Sequence, residues 1–529
     1  MKRALFVIAA LSLTFASAYA DDASTKTGAD KPQSPAAEYF KPEQSITSGS
    51  VEGIDYQAVA GTLVVHPKGW DDVKDKTNKE NPDAEASMFY VAYFKKGAPA
   101  ANRPVTFIYN GGPGSSTVWL HMGAFGPKRV VTANDTHTPA APYQLVDNES
   151  SLLDASDLVF IDAPGAGFSR IAGKDKEKAF WGVDPDAYAF SQFIQQFLSK
   201  YGRWNSPKFL FGESYGTPRS AVLVNMLETD ANVDFNGVIL LSQILNFAMS
   251  ADGAEANPGV DLPYQLALPT YAATAWYHNK LPGKKPADLH KFLGEVQHFA
   301  MGDYALALQA GAALNTKQRN LIAQRLHNYT GLPVAYILKA NLRIDGGEFE
   351  KTLQDDAGMT TGRLDTRFSG PTMDPLSKEA DYDPQSAAIS SAYVSAFNDY
   401  VRKTLNYGQD KQFKPFADVF KFWDFKHQEP GMPFAFPGAT NTIPDLSSAM
   451  KYNPGLKVML NGGYFDLATP YYEGIYEMRH LQIPQKLQAN ISYHYYESGH
   501  MVYANPESLK QLHDNVAAFI TANSNQGNR

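Results

Sequence analysis

The stretch "FLFGESYGTP", residues 209–218, places an apolar run directly before a serine that is flanked by two glycines. A flexible surface turn would account for it, since about 0.2 chance matches to G-x-S-x-G are expected in a chain of this length. The alternative is a tight strand-to-helix turn, in which Gly212 and Gly216 allow close backbone approach and Ser214 projects as a nucleophile. The context favours this alternative, because "FLF" is typical of a buried strand and the residues after the turn can form a helix.

The segments around this turn predict a mostly parallel sheet with crossover helices. "PVTFIYN" (104–110) and "DLVFIDAP" (157–164) are nearly continuous apolar runs, as in strands that are buried on both faces. Residues 184–202 then repeat apolar side chains at helical spacing. Strand, helix and strand in this order form the unit of a parallel sheet. Three further strands and a closing helix are predicted at residues 236–245, 455–463, 491–499 and 506–522.

Residues 251–430 do not show this alternation of strands and helices. They contain helix-like stretches that are separated by proline and glycine breaks. Before the parallel unit, "GTLVVHP" (61–67) and "SMFYVAYF" (87–94) predict a pair of antiparallel strands. We therefore predict an α/β core made of residues 46–250 and 431–529, with a large, mainly helical insertion at 251–430 over the active site.

The N-terminus has the features of a secretory signal. "MKRALFVIAALSLTFASAYA" combines two basic residues, an apolar stretch and an A-x-A cleavage site after Ala20. A membrane anchor is the alternative, but the uninterrupted apolar part is about ten residues, roughly half of what spans a bilayer. We expect residues 1–20 to be removed and residues 21–45 to form a flexible leader, leaving an exported protein without an integral membrane anchor.

Composition narrows the class of protein further. The 529 residues are 44% apolar and 19% charged, which are globular values. A net charge of -8 argues against nucleic acid as a partner. The chain has no cysteine, so it forms no disulfide and no thiolate metal site. A disulfide-free exported domain favours a bacterial periplasm, with secretion as the alternative.

A serine hydroxyl is a poor nucleophile at neutral pH and needs a base that is itself oriented by a carboxylate. After such a turn the partners are expected in the order Ser, Asp, His, on loops that follow late strands. Asp466 in "NGGYFDLATP" and His500 in "ESGHMVY" both follow late predicted strands. Asp445 and His494 are rival candidates, although His494 lies within a strand. The sequence thus predicts a catalytic triad of Ser214, Asp466 and His500.

Acyl transfer also needs N–H donors for the developing oxyanion. The backbone N–H of Tyr215 is expected to be one of them. The other is expected from the glycine-rich turn "YNGGPGSS" (109–116), which follows an earlier predicted strand. A phosphate-binding loop is the rival interpretation of this turn, but it has neither G-x-G-x-x-G nor G-K-[ST]. We predict neither a cofactor nor a metal.

Four motifs together resemble those of the serine carboxypeptidase family, and they occur in the same order. The resemblance spans roughly residues 105–245 and 455–505. It implies an α/β-hydrolase fold and the hydrolysis of peptides from the carboxyl end through an acyl-enzyme. The motifs are "NGGPGSS" (110–116), "DAPGAGFS" (162–169), "GESYG" (212–216) and "GHMV" (499–502).

The resemblance also implies roles for individual residues. Gly112 and Tyr215 would supply the oxyanion amides, and Asn110 and Glu213 would hold the terminal carboxylate of a peptide substrate. Glu213 must be protonated to donate a hydrogen bond to another carboxylate. Substrate binding is therefore expected to favour acidic pH.

The sequence departs from the family at three positions. Ile108 stands where the family has a tryptophan, Ala124 where it has a second carboxylate-binding glutamate, and Ser115 where it has a cysteine. Without the second carboxyl donor, carboxylate recognition is expected to be weaker than in the family. An esterase, acyltransferase or aminopeptidase on the same scaffold is therefore the alternative to a carboxypeptidase, and a non-catalytic binding protein is a third hypothesis that the intact triad disfavours. The sequence predicts no oligomeric state.

Overall fold

The computed structural model describes residues 42–73 and 81–524. The predicted signal at 1–20, nearly all of the predicted leader and residues 74–80 of the connection between the first strands lie outside the described residues. The first described strand begins at Gln44, two residues before the predicted start of the core. The described part of the chain contains no helix that is both long and apolar enough to cross a membrane.

The described strands, in chain order, are β1 (Gln44–Val51), β2 (Ile54–Val65), β3 (Glu85–Lys95), β4 (Val105–Tyr109), β5 (Lys128–Val130), β6 (Leu145–Asp147), β7 (Asp157–Ile161), β8 (Arg170–Ala172), β9 (Lys208–Glu213), β10 (Gly237–Leu241), β11 (Met359–Thr361), β12 (Ser369–Pro371), β13 (Lys457–Gly463) and β14 (Ile491–Tyr496). The described α-helices are α1 (Lys176–Phe180), α2 (Val183–Lys200), α3 (Gly216–Thr229), α4 (Leu262–Tyr277), α5 (Leu289–Phe299), α6 (Ala305–Ala310), α7 (Thr316–Thr330), α8 (Val334–Lys339), α9 (Gly346–Thr352), α10 (Pro384–Lys403), α11 (Ile443–Tyr452), α12 (Tyr471–Arg479) and α13 (Pro506–Asn523).

Ten of these strands form one sheet, in the order β1-β2-β3-β7-β4-β9-β10-β13-β14, with β8 paired to β3. The pairs from β1 to β7 along this order are antiparallel. From β7 to β14 every pair is parallel. The predicted antiparallel pair and the mostly parallel central sheet of an α/β-hydrolase fold are both confirmed.

The central strands are buried because helices cover both faces of the sheet. Every residue of β4, β7, β9 and β10 is buried. Alternate residues of β9 point to opposite sides, as the pleat requires. Phe209 and Phe211 pack in one apolar cluster with residues of α10 and α13, whereas Leu210 packs in a second cluster with residues of α2 and α3. The apolar run before the serine therefore anchors the turn between two cores.

The segment 251–430 contains the seven helices α4 to α10 and the small antiparallel pair β11–β12. Helices α4, α5 and α7 pack in a third apolar cluster, which also includes Phe465 and Leu467. Because these two residues directly follow β13, that helical group lies at the carboxyl end of the sheet. Helix α10 packs differently, since its residues Tyr393 and Phe397 belong to a cluster on one face of the sheet.

Candidate active site

Ser214 lies in a strained turn between β9 and α3. Its φ of 59° falls in the left-handed region, which is uncommon for a residue other than glycine. A Cβ atom at Gly212 would lie 2.1 Å from the carbonyl oxygen of Gly216, so no larger residue fits where the strand and helix meet. The Ser214 carbonyl accepts a 2.8 Å hydrogen bond from the N–H of Thr217. These features are those of a nucleophile elbow.

Asp466 and His500 form a hydrogen-bonded pair at the carboxyl ends of β13 and β14. The Nδ1 atom of His500 lies 2.8 Å from Oδ2 of Asp466, which is completely buried. Thr469 holds the carboxylate through its N–H, 3.0 Å from Oδ1, and its hydroxyl, 2.7 Å from Oδ2. Burial lowers the pKa of His500, but the charge and hydrogen bond of Asp466 outweigh it and the pKa is raised. With Nδ1 engaged, Nε2 is the atom that can accept a proton.

The end of β10 connects the elbow to this pair. The N–H of Ser214 donates to the Leu241 carbonyl at 3.0 Å, and the hydroxyl of the next residue, Ser242, donates to the His500 carbonyl at 2.7 Å. Neither Ser214 Oγ nor His500 Nε2 is hydrogen-bonded to any group in the described ranges. Catalytic hydrogen bonds are often formed only once substrate binds. Both atoms are therefore free of other hydrogen-bond partners among the described residues.

The rival candidates have other partners. Asp445 lies 2.7 Å from Nε2 of His427, whose Nδ1 is 2.5 Å from Asp184. His494 is a half-buried residue within β14 and pairs in register with Asn461 of β13. The structure thus brings His500 together with Asp466 and places Asp445 in a separate ion-paired cluster.

The loop 110–116 lies against the elbow on the other side. A Cβ atom at Gly111 would lie only 2.3 Å from the backbone nitrogen of Tyr215. The following residue, Gly112, has a φ of 107°. Within the described chain, the N–H groups of Gly112 and Tyr215 donate to no protein acceptor. Two unbonded amides, one of them at the N-terminus of α3, can stabilise a developing oxyanion.

The motif "DAPGAGFS" (162–169) is hydrogen-bonded to the segment that directly follows this loop. The buried carboxylate of Asp162 accepts a hydrogen bond from the N–H of Thr117 at 2.8 Å. A Cβ atom at Gly167 would lie 1.7 Å from Oδ2 of Asp162, so glycine is required there. The motif fixes the segment that follows the loop 110–116.

Asn110 and Glu213 lie at the ends of β4 and β9 and are both 3% exposed. The N–H of Leu120 donates to Oδ1 of Asn110 at 3.1 Å, so the Nδ2 amide is the group that remains to donate. The Asn110 carbonyl accepts a 2.8 Å bond from Arg219, whose guanidinium pairs with the buried Asp186. These contacts fix the position of Asn110.

The Glu213 carboxyl keeps its proton to a higher pH than an exposed glutamate does. Burial raises its pKa to about 7, and the charge of Asp466 acts in the same direction. His500, the hydroxyl of Tyr503 and the amide of Asn110 oppose that increase only in part. Around pH 5 to 6 the carboxyl is neutral and can donate a hydrogen bond.

The three departures from the family pattern are buried. Ile108 and Ala124 are completely enclosed in the apolar cluster on the α10 side of the sheet. The Ser115 hydroxyl accepts a 2.9 Å hydrogen bond from the indole N–H of Trp119. Serine at this position therefore has a local structural partner.

A segment of the insertion, residues 363–367, supports the two loops that carry Asp466 and His500. The N–H of His500 donates to the Leu364 carbonyl at 2.6 Å, and the N–H of Leu467 donates to the Arg363 carbonyl at 3.1 Å. The predicted insertion is therefore hydrogen-bonded to the loops that carry Asp466 and His500. This contact was not predicted, because backbone pairing of distant irregular segments has no sequence signature.

Two more residues near the site were missed. The Thr469 contacts to Asp466 have a local signal, since a hydroxyl three residues after an aspartate commonly caps a turn. Tyr503, three residues after His500, is buried beside Glu213. Only its spacing from the histidine could have indicated this.

Comparisons with known proteins agree with the fold and with the motifs. The family model described as serine carboxypeptidase matches residues 78–514. "Serine carboxypeptidase ctsa-3.2" of Caenorhabditis elegans is 26% identical over 184 residues, which cover 32% of this chain and 33% of that protein. The pheromone-processing carboxypeptidase KEX1 of Cryptococcus gattii is 28% identical over 158 residues, covering 30% and 22%. The matched region thus spans a third or less of these curated relatives.

Solved structures with a similar course of the chain include VinJ, at 12% identity and a TM-score of 0.34, covering 86% of this chain and 99% of that one. The peroxisomal α/β-hydrolase Lpx1 of Saccharomyces cerevisiae is 10% identical with a TM-score of 0.34, covering 92% and 90%. Likenesses at this level decide nothing about activity. The family model, by contrast, covers most of the chain, and this chain belongs to the serine carboxypeptidase family.

Proposed function

We propose that this protein is a serine carboxypeptidase, which hydrolyses the last peptide bond of its substrates through an acyl-enzyme on Ser214. The observation that carries the proposal is the buried Glu213, which lies one residue before the elbow serine and interacts with both His500 and Asp466. A carboxyl that is neutral below about pH 7 is a suitable donor for a substrate carboxylate.

In the proposed reaction, Ser214 Oγ attacks the carbonyl carbon of the last peptide bond while Nε2 of His500 takes its proton. Asp466 stabilises the imidazolium that forms, since it holds Nδ1 at 2.8 Å. The N–H groups of Gly112 and Tyr215 hold the oxyanion. His500 then gives the proton to the leaving amine, the C-terminal amino acid departs, and a water activated by His500 releases the acyl group.

Asn110 and Glu213 would select the carboxyl end of the peptide. The Nδ2 amide of Asn110 and the protonated Glu213 can each donate a hydrogen bond to the terminal carboxylate. No guanidinium or ammonium is needed for such a site, but Glu213 must keep its proton. Recognition is therefore expected to be strongest on the acidic side of about pH 7.

The secretory features of residues 1–20 support a setting outside the cytoplasm. We propose that the substrates are exported or periplasmic peptides. The insertion 251–430 would border the entrance to the site, since its residues 363–367 are bonded to the loops that carry the triad.

An esterase, acyltransferase or aminopeptidase is the second candidate, and the apolar Ile108 and Ala124 favour it because they remove side chains that could assist carboxylate binding. An N-blocked dipeptide as the free acid and as the C-terminal amide, each at pH 5 to 6, separates the two candidates. The carboxypeptidase proposal predicts turnover of the free acid by the wild type, much weaker turnover of the amide and none by Ser214→Ala. Equal turnover of acid and amide, or activity in Ser214→Ala, would exclude it.

A further inference from the structure

Two buried polar atoms beside the proposed site lack a hydrogen-bond partner. Among the described residues, neither Oε2 of Glu213 nor the hydroxyl of Tyr503 is bonded, and both atoms are enclosed by protein. Each of the two residues is 3% exposed. Buried polar groups are nearly always paired, so these two atoms need a structural explanation.

The fold makes room for the Tyr503 ring at this place. Tyr503 lies in the short turn Val502–Ala504, directly after the histidine loop. A Cβ atom at Gly123 would lie 2.8 Å from Cδ2 of the Tyr503 ring and 2.6 Å from the Tyr393 hydroxyl. The side chain of the next residue, Ala124, has no polar atom. The Tyr503 ring therefore packs against the segment 123–124, where the chain has no second carboxyl group.

The surrounding donors fix the direction of the hydrogen bonds. Because the Leu120 N–H donates to Oδ1 of Asn110, the Asn110 side chain presents its Nδ2 amide. The Tyr503 hydroxyl interacts with this amide and with the Glu213 carboxyl. A hydroxyl oxygen that faces an N–H donor turns its own hydrogen toward its other neighbour. Here the other neighbour is the Glu213 carboxyl, whose enclosed and unpaired oxygen is Oε2. A hydroxyl that donates to Oε2 would leave the proton of the neutral carboxyl on Oε1.

We propose that Tyr503 is a positioning residue that determines specificity: when substrate binds, its hydroxyl donates to Oε2 of Glu213 and thereby directs the Oε1 proton toward the terminal carboxylate of the substrate. This inference rests on the proposed carboxypeptidase function. It assigns to a phenol the place of a second carboxylic acid. Burial raises the pKa of Tyr503 well above its usual value, so the phenol stays a donor throughout the working range.

The titratable groups that face Glu213 are His500, Asp466, Tyr503 and Tyr393. Of these, His500 and the Tyr503 hydroxyl favour the ionised form of Glu213, whereas Asp466 disfavours it. Removing the Tyr503 hydroxyl should therefore raise the pKa of Glu213, while also freeing its proton to sit on either oxygen. The affinity for a free-acid substrate and the pH dependence of its binding would therefore change together.

The test is the variant Tyr503→Phe, which removes a single oxygen atom. With an N-blocked dipeptide as the free acid, KM is expected to rise about twofold or more, because the proton of Glu213 can then sit on either oxygen, with little change in kcat. The alkaline limb of kcat/KM should move to higher pH. Turnover of the amidated dipeptide should not respond. The matched control is Tyr495→Phe, which removes another buried and unbonded hydroxyl, in β14, away from Glu213.

An unchanged KM and pH profile in Tyr503→Phe, with a wild type that prefers the free acid, would overturn the inference and leave the proposed function standing. A wild type without that preference would instead refute the proposed function, before any variant is made. The double variant Glu213→Gln, Tyr503→Phe tests whether Tyr503 acts through Glu213. Residue 213 then has no titratable proton, so the shift of the alkaline limb of kcat/KM should disappear. A shift that persists there would also overturn the inference.

Discussion

The Nδ1 atom of His500 lies 2.8 Å from Oδ2 of Asp466, and the second aspartate that the sequence offered, Asp445, is bonded to His427 instead. Each aspartate thus has its own histidine. Of the two histidines, only His500 lies beside Glu213 and is bonded through Ser242 to the strand that holds the elbow.

Replacing each aspartate with asparagine should therefore show which of the two Asp–His pairs takes part in catalysis. Asp466→Asn is expected to lower kcat by about 10³ to 10⁴, because the imidazole loses the carboxylate that orients it and stabilises its charge. Steady-state kinetics on a blocked dipeptide measure this loss. Asp445→Asn serves as the control and should keep kcat within a few-fold of the wild type. A comparable loss in both variants would mean that Asp466 has no special role.

Glu213→Gln should remove the alkaline limit of substrate binding. In the wild type, KM for a free-acid substrate is expected to rise as the pH passes about 7, since ionised Glu213 repels the substrate carboxylate. A glutamine amide donates at every pH, so the variant should keep its KM up to pH 8 or 9. The pH dependence of kcat/KM gives the answer. An alkaline limb that is unchanged in the variant would assign that limb to another group.

The turn at Ser214 could be predicted because one short segment contains all of its determinants. An apolar strand, two glycines and a following helix are local features, and the structure shows why Gly212 cannot be larger. The late strands before Asp466 and His500 were predictable for the same reason.

The support from residues 363–367 could not be predicted, since it depends on how the insertion meets two distant loops. The packing of α10 against the sheet face was equally hidden, because its apolar residues Tyr393 and Phe397 would suit any helix core. Tertiary contacts of this kind are set by the whole fold and leave no periodic pattern in the sequence.

His427 should contribute stability that depends on pH. Burial lowers its pKa, but hydrogen bonds to Asp184 and Asp445 outweigh this and raise it to about 10. Because the folded-state pKa lies above the unfolded value of about 6.5, the contribution is complete below that pH and is lost as the pH rises through about 10. His427→Gln is therefore expected to lower the free energy of unfolding by about 3 kcal/mol or more at pH 6.

Denaturant unfolding at pH 6 and at pH 10 measures this difference. The loss in His427→Gln should be much smaller at the higher pH. His480→Gln is a suitable control. That histidine is exposed at the C-terminal end of α12 and has no carboxylate partner among the described residues. An equal loss at both pH values would show that His427 acts through packing and not through its charge.

The support from the insertion predicts a further kinetic effect. Asp365 is completely buried, pairs with Arg367 and accepts the N–H of Gly499 at 3.2 Å, one residue before the proposed base His500. Asp365→Asn should lower kcat by about tenfold or more through displacement of the histidine loop, with a smaller change in KM. The exposed pair Lys510–Asp514 provides the control, since Asp514→Asn should leave kcat unchanged.

Labelling with a fluorophosphonate, followed by mass spectrometry of the digested protein, tests the central claim most directly. A nucleophilic Ser214, activated by His500 and Asp466, predicts a single adduct on the peptide that contains "GESYG" and a loss of dipeptide hydrolysis in proportion to the labelled fraction. An adduct on a different residue, or full hydrolytic activity in protein whose Ser214 is completely labelled, would contradict it.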